Sequence, residues 1–157
     1  MKVLLVVDMQ KGFINTYNNV GLVSKINNLI ENGKYDKLIF TKFKNDTLKN
    51  AFYQEKIGWN GLKTHEEQEL VVNVPKGSIV LEKYGYGLER KDLEYINSLS
   101  AKEMDIFGVK AEACVYAIAL QLWDTGIYPN ILINYVVGNK DMKNVYKKQF
   151  GVVDEIE

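Results

Sequence analysis

Asp8, Lys83 and Cys114 are the residues of this chain whose types and positions suit covalent chemistry on a carbonyl carbon. A thiol can attack, a carboxylate can take and return its proton, and an ammonium can hold the anions that form. Asp8 ends the apolar run VLLVV in VLLVVDMQKGF, where a buried strand spills into a loop. A carboxylate there is costly to bury unless paired or hydrogen-bonded; otherwise it is a solvated loop residue or a cap for the next turn. Cys114, the only cysteine, opens a helix in GVKAEACVYAIAL. A helix N-terminus and a nearby ammonium both lower a thiol pKa. The competing reading is a small apolar side chain packed between helix and sheet. Lys83 closes a third apolar run, SIVLEKYGYG, where a lone lysine would simply reach water. The three residues become informative only if their elements bring them to one edge.

The elements do alternate in the required way. Lys2–Asp8, Lys37–Thr41, Ser78–Lys83, Met104–Val109 and Asn130–Val137 read as strands, and Val152–Ile156 as a short edge strand. Between them, Val20, Val23, Ile26, Leu29 and Ile30 mark a helical stripe closed by Gly33 as a C-terminal cap. Arg90–Leu99, Ala113–Trp123 and Lys140–Lys148 read as helices. Ile118, Leu122 and Trp123 form an aliphatic face that suits core or interface equally. The expected fold is a three-layer α/β/α, Rossmann-like parallel sheet of five or six strands with helices on both faces, one domain over residues 1–157. In such sheets the carboxyl ends of the strands share one edge, where ligands bind. The least readable stretch, residues 43–76, is expected to hold a short helix plus loops, and long irregular segments are often lids or binding loops.

Composition excludes several classes. Twenty basic and twenty acidic side chains cancel, with no basic block, which disfavours nucleic acid and anionic membranes as partners. No apolar run approaches the roughly 20 residues of a membrane span, and MKVLLVVDMQ lacks the longer apolar core of a signal peptide. One cysteine cannot form an internal disulfide, which fits a reducing, cytoplasmic location.

Three motifs in order, VVDMQKGF, LEKYGYG and GVKAEACV, resemble the isochorismatase-like cysteine hydrolases, a superfamily that includes nicotinamidases, N-carbamoylsarcosine amidases and ureidoacrylate hydrolases. The D-x-Q motif with a following aromatic is matched by Asp8, Gln10 and Phe13. The lysine after the third strand is matched by Lys83, and the G-[VI]-x-[TA]-[DE]-x-C segment by Gly108 to Cys114. The similarity runs from Met1 to about Tyr135, least clearly over 43–76. The resemblance implies that Cys114 attacks a carbonyl and forms a thioester. Asp8 would serve as general acid and base, while Lys83 stabilises the thiolate and holds Asp8 ionised. It also implies a cis peptide bond between Val109 and Lys110, and an oxyanion hole made by the N–H groups of Lys110 and Cys114. Such donors are often worth a factor of about 10²–10³ each. A small-molecule substrate and a homodimer or homotetramer are implied as well, with no cofactor.

Two departures qualify the match. Metal-binding relatives carry D-x-H after the second strand, whereas this chain reads FTKFKNDTLKNAF with no histidine. Its one histidine, His65, sits in the charged run THEEQEL and reads as a solvated residue, so no metal is expected. After the fifth strand, relatives place an aspartate and a small residue where this chain has Asn134–Tyr135. Isochorismate-cleaving members need no cysteine, so Cys114 favours an amide, ureide or related C–N substrate. Besides Gln10, the substrate-binding candidates are Phe13, Trp59, Tyr84 and Tyr86, aromatics near the predicted edge that could equally be ordinary packing. YGYG lacks phosphate-loop and dinucleotide fingerprints and reads as a turn. Competing with a hydrolase are a catalytically idle binding or structural member and a thiol redox sensor, the latter without a second cysteine to resolve an oxidised one.

Overall fold

Five aliphatic residues in a row, Val3–Val7, form β1, and all five are buried, as a strand covered on both faces requires. In the computed structural model, which describes residues 1–14 and 19–155, β1 is an inner strand of a six-stranded sheet. The others are Lys37–Phe43 (β2), Ile79–Lys83 (β3), Glu103–Gly108 (β4), Tyr128–Leu132 (β5) and Gly151–Val153 (β6). Their order is β3-β2-β1-β4-β5-β6, and every pairing is parallel. The helices are Val20–Asn32 (α1), Ala51–Ile57 (α2), His65–Gln68 (α3), Arg90–Ser98 (α4), Tyr116–Asp124 (α5) and Met142–Tyr146 (α6), with a π turn at Ala111–Val115.

Alternation along β1 builds two cores. Leu4 and Val6 pack with Ile26, Leu29 and Ile30 of α1 on one face. Val3, Leu5 and Val7 pack with Ile96 of α4, Ile118 and Leu122 of α5 and Tyr146 of α6 on the other. The result is three layers. Each fully buried aliphatic side chain contributes roughly 1.5–3 kcal/mol, so the central strands anchor the molecule. The same period of two decides the fate of Lys83. On edge strand β3, Val80 and Glu82 are exposed while Leu81 and Lys83 point inward.

The chain runs outward from β1 to β2 and β3, then returns through α4 to β4 on the other side of β1. This reversal opens a crevice at the carboxyl ends of β1 and β4, the usual ligand position in open α/β sheets. There the two strands approach closely at Gly108, which has φ +144° and no room for a side chain.

Several boundaries differ from the sequence expectation. The aliphatic run Asn130–Val137 is not one strand: β5 stops at Leu132, Ile133–Tyr135 is a 3-10 turn, and Val137 makes only an isolated bridge to Val109. The helix expected from Ala113 begins as the π turn, and Cys114 lies within that turn. Gly33 ends α1 in an extended conformation, φ −66°, instead of a left-handed cap. Glycine is needed there because a Cβ would fall 2.4 Å from the Leu29 carbonyl oxygen. Residues 43–76 contain two short helices, and the end of the expected Val152–Ile156 strand, Ile156, lies outside the described residues. Of the α5 face, Ile118 and Leu122 are core whereas Trp123 is 42% exposed. No helix among the described residues is long and apolar enough to cross a membrane.

Candidate active site

Asp8 is the first residue past β1 and adopts a left-handed conformation, φ 50°, that few side chains other than Asn and Asp tolerate. Its backbone N–H donates to Thr41 Oγ1 (3.1 Å), and the Thr41 hydroxyl donates to Asp8 Oδ1 (2.6 Å). Lys83 reaches under the sheet edge from β3, placing Nζ 2.8 Å from Asp8 Oδ2, with neither side chain exposed. The ammonium directs hydrogen bonds at the carbonyls of Gly85 (2.8 Å) and Tyr86 (3.2 Å), and it lies 4.8 Å from the Phe43 ring centroid. Asp8 Oδ2 takes no directed hydrogen bond beyond this ion pair, leaving it a lone pair for a proton. An ion pair cut off from water needs such hydrogen bonds to offset its desolvation.

Cys114 arrives from the other side of β1. The turn carrying it is clamped at several points. Val109 N–H donates to the Val7 carbonyl (3.0 Å), and Ala111 N–H to the Val137 carbonyl (2.9 Å). The buried Tyr146 hydroxyl donates to the Ala111 carbonyl, and Asn139 N–H to Glu112 Oε2 (2.8 Å). The peptide bond between Val109 and Lys110 is cis. Burial first, and then the Asp8 carboxylate, push the Cys114 thiol up to about 12, while Lys83 pulls the other way. The expectation of a lowered thiol pKa is therefore corrected. At 4% exposed, the thiol loses more from desolvation than the turn and the ammonium return. Burial and the neighbouring carboxylate both favour the thiol over the thiolate.

Above Cys114 lies a cavity of about 270 Å³ walled by Phe13, Phe43, Tyr53, Ile57, Trp59 and Tyr86, with Lys110, Glu112 and Ala113 on the Cys114 side. Phe13 and Trp59 stack nearly parallel, 4° apart with centroids at 5.8 Å, and Phe43 meets Trp59 edge-on at 5.3 Å. Asn45 holds this wall in place. Its side-chain amide donates to the carbonyls of Trp59 (3.1 Å) and Gly61 (3.0 Å), and its oxygen accepts from Gln54 Nε2 (2.9 Å).

Of the residues expected from sequence, Asp8, Lys83, Cys114 and Lys110 converge, and Phe13, Trp59 and Tyr86 line the cavity. Gln10 and Tyr84 do not. Gln10 is fully buried, and its amide is spent on Phe43 N–H (2.8 Å) and the carbonyls of Phe43 (2.9 Å) and Gln68 (3.0 Å). It staples the loop after β1 instead of facing a ligand. Tyr84 turns to a separate polar cavity, where the Lys49 ammonium stands 4.2 Å from its ring. Sequence reading missed Thr41, Phe43, Tyr53 and Ile57, whereas Glu112 lies in the motif segment Gly108 to Cys114 with no role of its own expected. Thr41 alone had a signal, a hydroxyl at the end of the apolar run KLIF.

The polar cavity holds His65, the chain's one histidine. Its walls include Asn45, Asp46 and His65, but also the ammonium-bearing Lys44 and Lys63. Asp46 Oδ1 is occupied by Leu48 N–H (2.8 Å), and the Asn45 amide presents donors. No group of three His, Cys, Asp or Glu side chains able to hold a metal ion occurs among the described residues. This donor set does not fit a divalent cation.

The isochorismatase domain family model matches residues 2–137. Among solved structures, the chain is similar to an N-carbamoylsarcosine amidase from Thermoplasma acidophilum, with TM-score 0.82, 20% identity, and coverage of 100% of this chain and 99% of that one. It is also similar to a pyrazinamidase of Pyrococcus horikoshii in complex with zinc (TM-score 0.79, 20% identity, 98% and 99% covered). A nicotinamidase from Bacillus subtilis gives TM-score 0.76 at 20% identity, again with 98% and 99% covered. No curated protein matches the sequence significantly.

Proposed function

Because the chain belongs to the isochorismatase domain family, we propose that it is a cysteine hydrolase of a small amide, ureide or related C–N substrate, acting through a thioester on Cys114. The observation that carries this reading is the buried Lys83–Asp8 pair, 2.8 Å apart, acting on a thiol at the floor of an aromatic cavity. The structurally similar proteins that bear amidase names support a C–N bond as the target.

The chemistry follows from the charges. With a substrate carbonyl above sulfur, the thiol proton passes to Asp8 as the S–C bond forms. Lys83 offsets the negative charge that gathers on sulfur. The carbonyl oxygen becomes an oxyanion held by the N–H groups of Lys110 and Cys114. Asp8 returns the proton to the departing nitrogen, the C–N bond breaks, and the thioester remains. Water then gives a proton to Asp8 and adds to the thioester. Collapse of this second intermediate releases a carboxylic acid or carbamate and restores the thiol. No step uses a metal, and the protein works in a small space suited to one small molecule.

Ammonia release from a panel of small primary amides and ureides tests this. The wild type is expected to turn over at least one member, and Cys114→Ala none. A quenched reaction should show Cys114 carrying the acyl mass in a hydroxylamine-sensitive linkage. Turnover that survives Cys114→Ala sinks the thioester route. Tight ligand binding without turnover points instead to an idle binding protein.

A further inference from the structure

Tyr53 is absent from the motifs that mark the family resemblance, yet it stands inside the site. It is carried by α2, a helix with no fully buried residue, and its ring packs against the edge of the core where the cavity opens. Its ring lies edge-on to Phe43 (5.9 Å, 86°) and to Tyr86 (5.2 Å, 66°). Its hydroxyl is beside Gly85, since a Cβ on that glycine would be 3.7 Å from the phenolic oxygen. The Gly85 carbonyl is the one that accepts from Lys83 Nζ at 2.8 Å, so the hydroxyl borders the proposed catalytic ammonium. The Lys83 charge acts on it, and the Tyr86 backbone N–H approaches its oxygen. Its proton meets no acceptor among the described residues.

The rest of that wall offers little polarity. Phe13, Phe43 and Ile57 have no hydrogen-bonding atoms in their side chains. Tyr53 comes from the segment after β2 and the Lys110 and Cys114 N–H groups from the segment after β4, on opposite flanks of β1. A ligand whose scissile carbonyl faces Lys110 and Cys114 meets Tyr53 from the other flank of the same cavity. We propose that Tyr53 determines specificity by donating its hydroxyl hydrogen bond to a second acceptor atom in the substrate, beyond the carbonyl that is cleaved. The preferred substrates are then small amides or ureides whose body carries a ring nitrogen or a further carbonyl. This rests on the hydrolase reading above.

The test is Tyr53→Phe, which keeps the ring contacts and removes only the oxygen. It is assayed with matched pairs of small primary amides of one shape, differing by a ring nitrogen in place of a ring C–H. The wild type is expected to favour the nitrogen-bearing member. Tyr53→Phe is expected to lose about tenfold in kcat/KM on that member, mainly through KM, and less than about threefold on the other, erasing the preference. Equal losses on both members, or a preference that survives the substitution, overturn the proposal and leave the hydrolase reading intact. Absence of wild-type turnover on every amide and ureide removes the hydrolase reading, and the proposal falls with it.

Discussion

Lys83→Met is expected to destabilise the protein by about 3–5 kcal/mol and to reduce amide hydrolysis to background. The ion pair it breaks has neither partner exposed, so the Asp8 carboxylate is left buried without its countercharge. Methionine has similar length and no ammonium, so the Gly85 and Tyr86 carbonyls also lose the donor they share. The catalytic loss has a separate cause. Lys83 is the group that opposes burial and Asp8 in setting the thiol, so without it the thiolate forms less readily still. Urea denaturation of the variant and of Asp8→Asn/Lys83→Met separates the two effects. The double variant should recover part of the stability, because the orphaned charge is gone, and none of the activity. A single-variant loss below about 1 kcal/mol would mean the pair is not buried as described.

Gly108→Ala is expected to be still more damaging, leaving no folded protein or one weakened by more than about 4 kcal/mol. An added Cβ would lie 2.0 Å from the Val7 carbonyl oxygen and 2.7 Å from the Val7 carbonyl carbon and nitrogen. These are backbone atoms of the neighbouring strand and cannot swing aside. The position also has φ +144°, which side chains rarely adopt. The clash falls at the close approach of β1 and β4, so any relief would displace Asp8 and the Cys114 turn together. Gly21→Ala is the control. Nothing lies within 4 Å of its Cβ on α1, and alanine there should be neutral or stabilise by about 0.5–1 kcal/mol. Thermal melts of the two variants should bracket the wild type, and a folded, active Gly108→Ala would contradict the described register of β1 and β4.

The sequence made the central strands readable because they are buried on both faces. VLLVV and KLIF are uninterrupted aliphatic runs, and their ends fall within two residues of expectation. The strand past Leu132 failed for the same reason. ILINYVV is just as aliphatic, but Ile133 to Val137 serve as a brace, with Val137 holding the turn that carries Cys114, and periodicity cannot distinguish a brace from a strand. Asp8, Lys83 and Cys114 stood out in the sequence because chemical type and strand-end position coincide, and the structure brings Asp8 and Lys83 into contact. The cavity walls were only partly legible. Phe43, Tyr53 and Ile57 belong to a segment whose conformation is set by side-chain amides, above all Asn45, binding backbone carbonyls. The thiol pKa was misjudged because sequence shows the helix start and the lysine but not the depth of burial.

The most direct test of the claim that Asp8 and Cys114 work as a proton-transfer pair is the rate of Cys114 alkylation by iodoacetamide as a function of pH, in the wild type and in Asp8→Asn. The wild-type thiol should react slowly near neutral pH and titrate well above the free-cysteine value of about 8.5. Removing the Asp8 charge removes one of the two forces holding the thiol up, so Asp8→Asn should titrate lower and alkylate faster at neutral pH, yet hydrolyse no amide. A profile indifferent to Asp8, or an Asp8→Asn enzyme that keeps its turnover, would contradict the account.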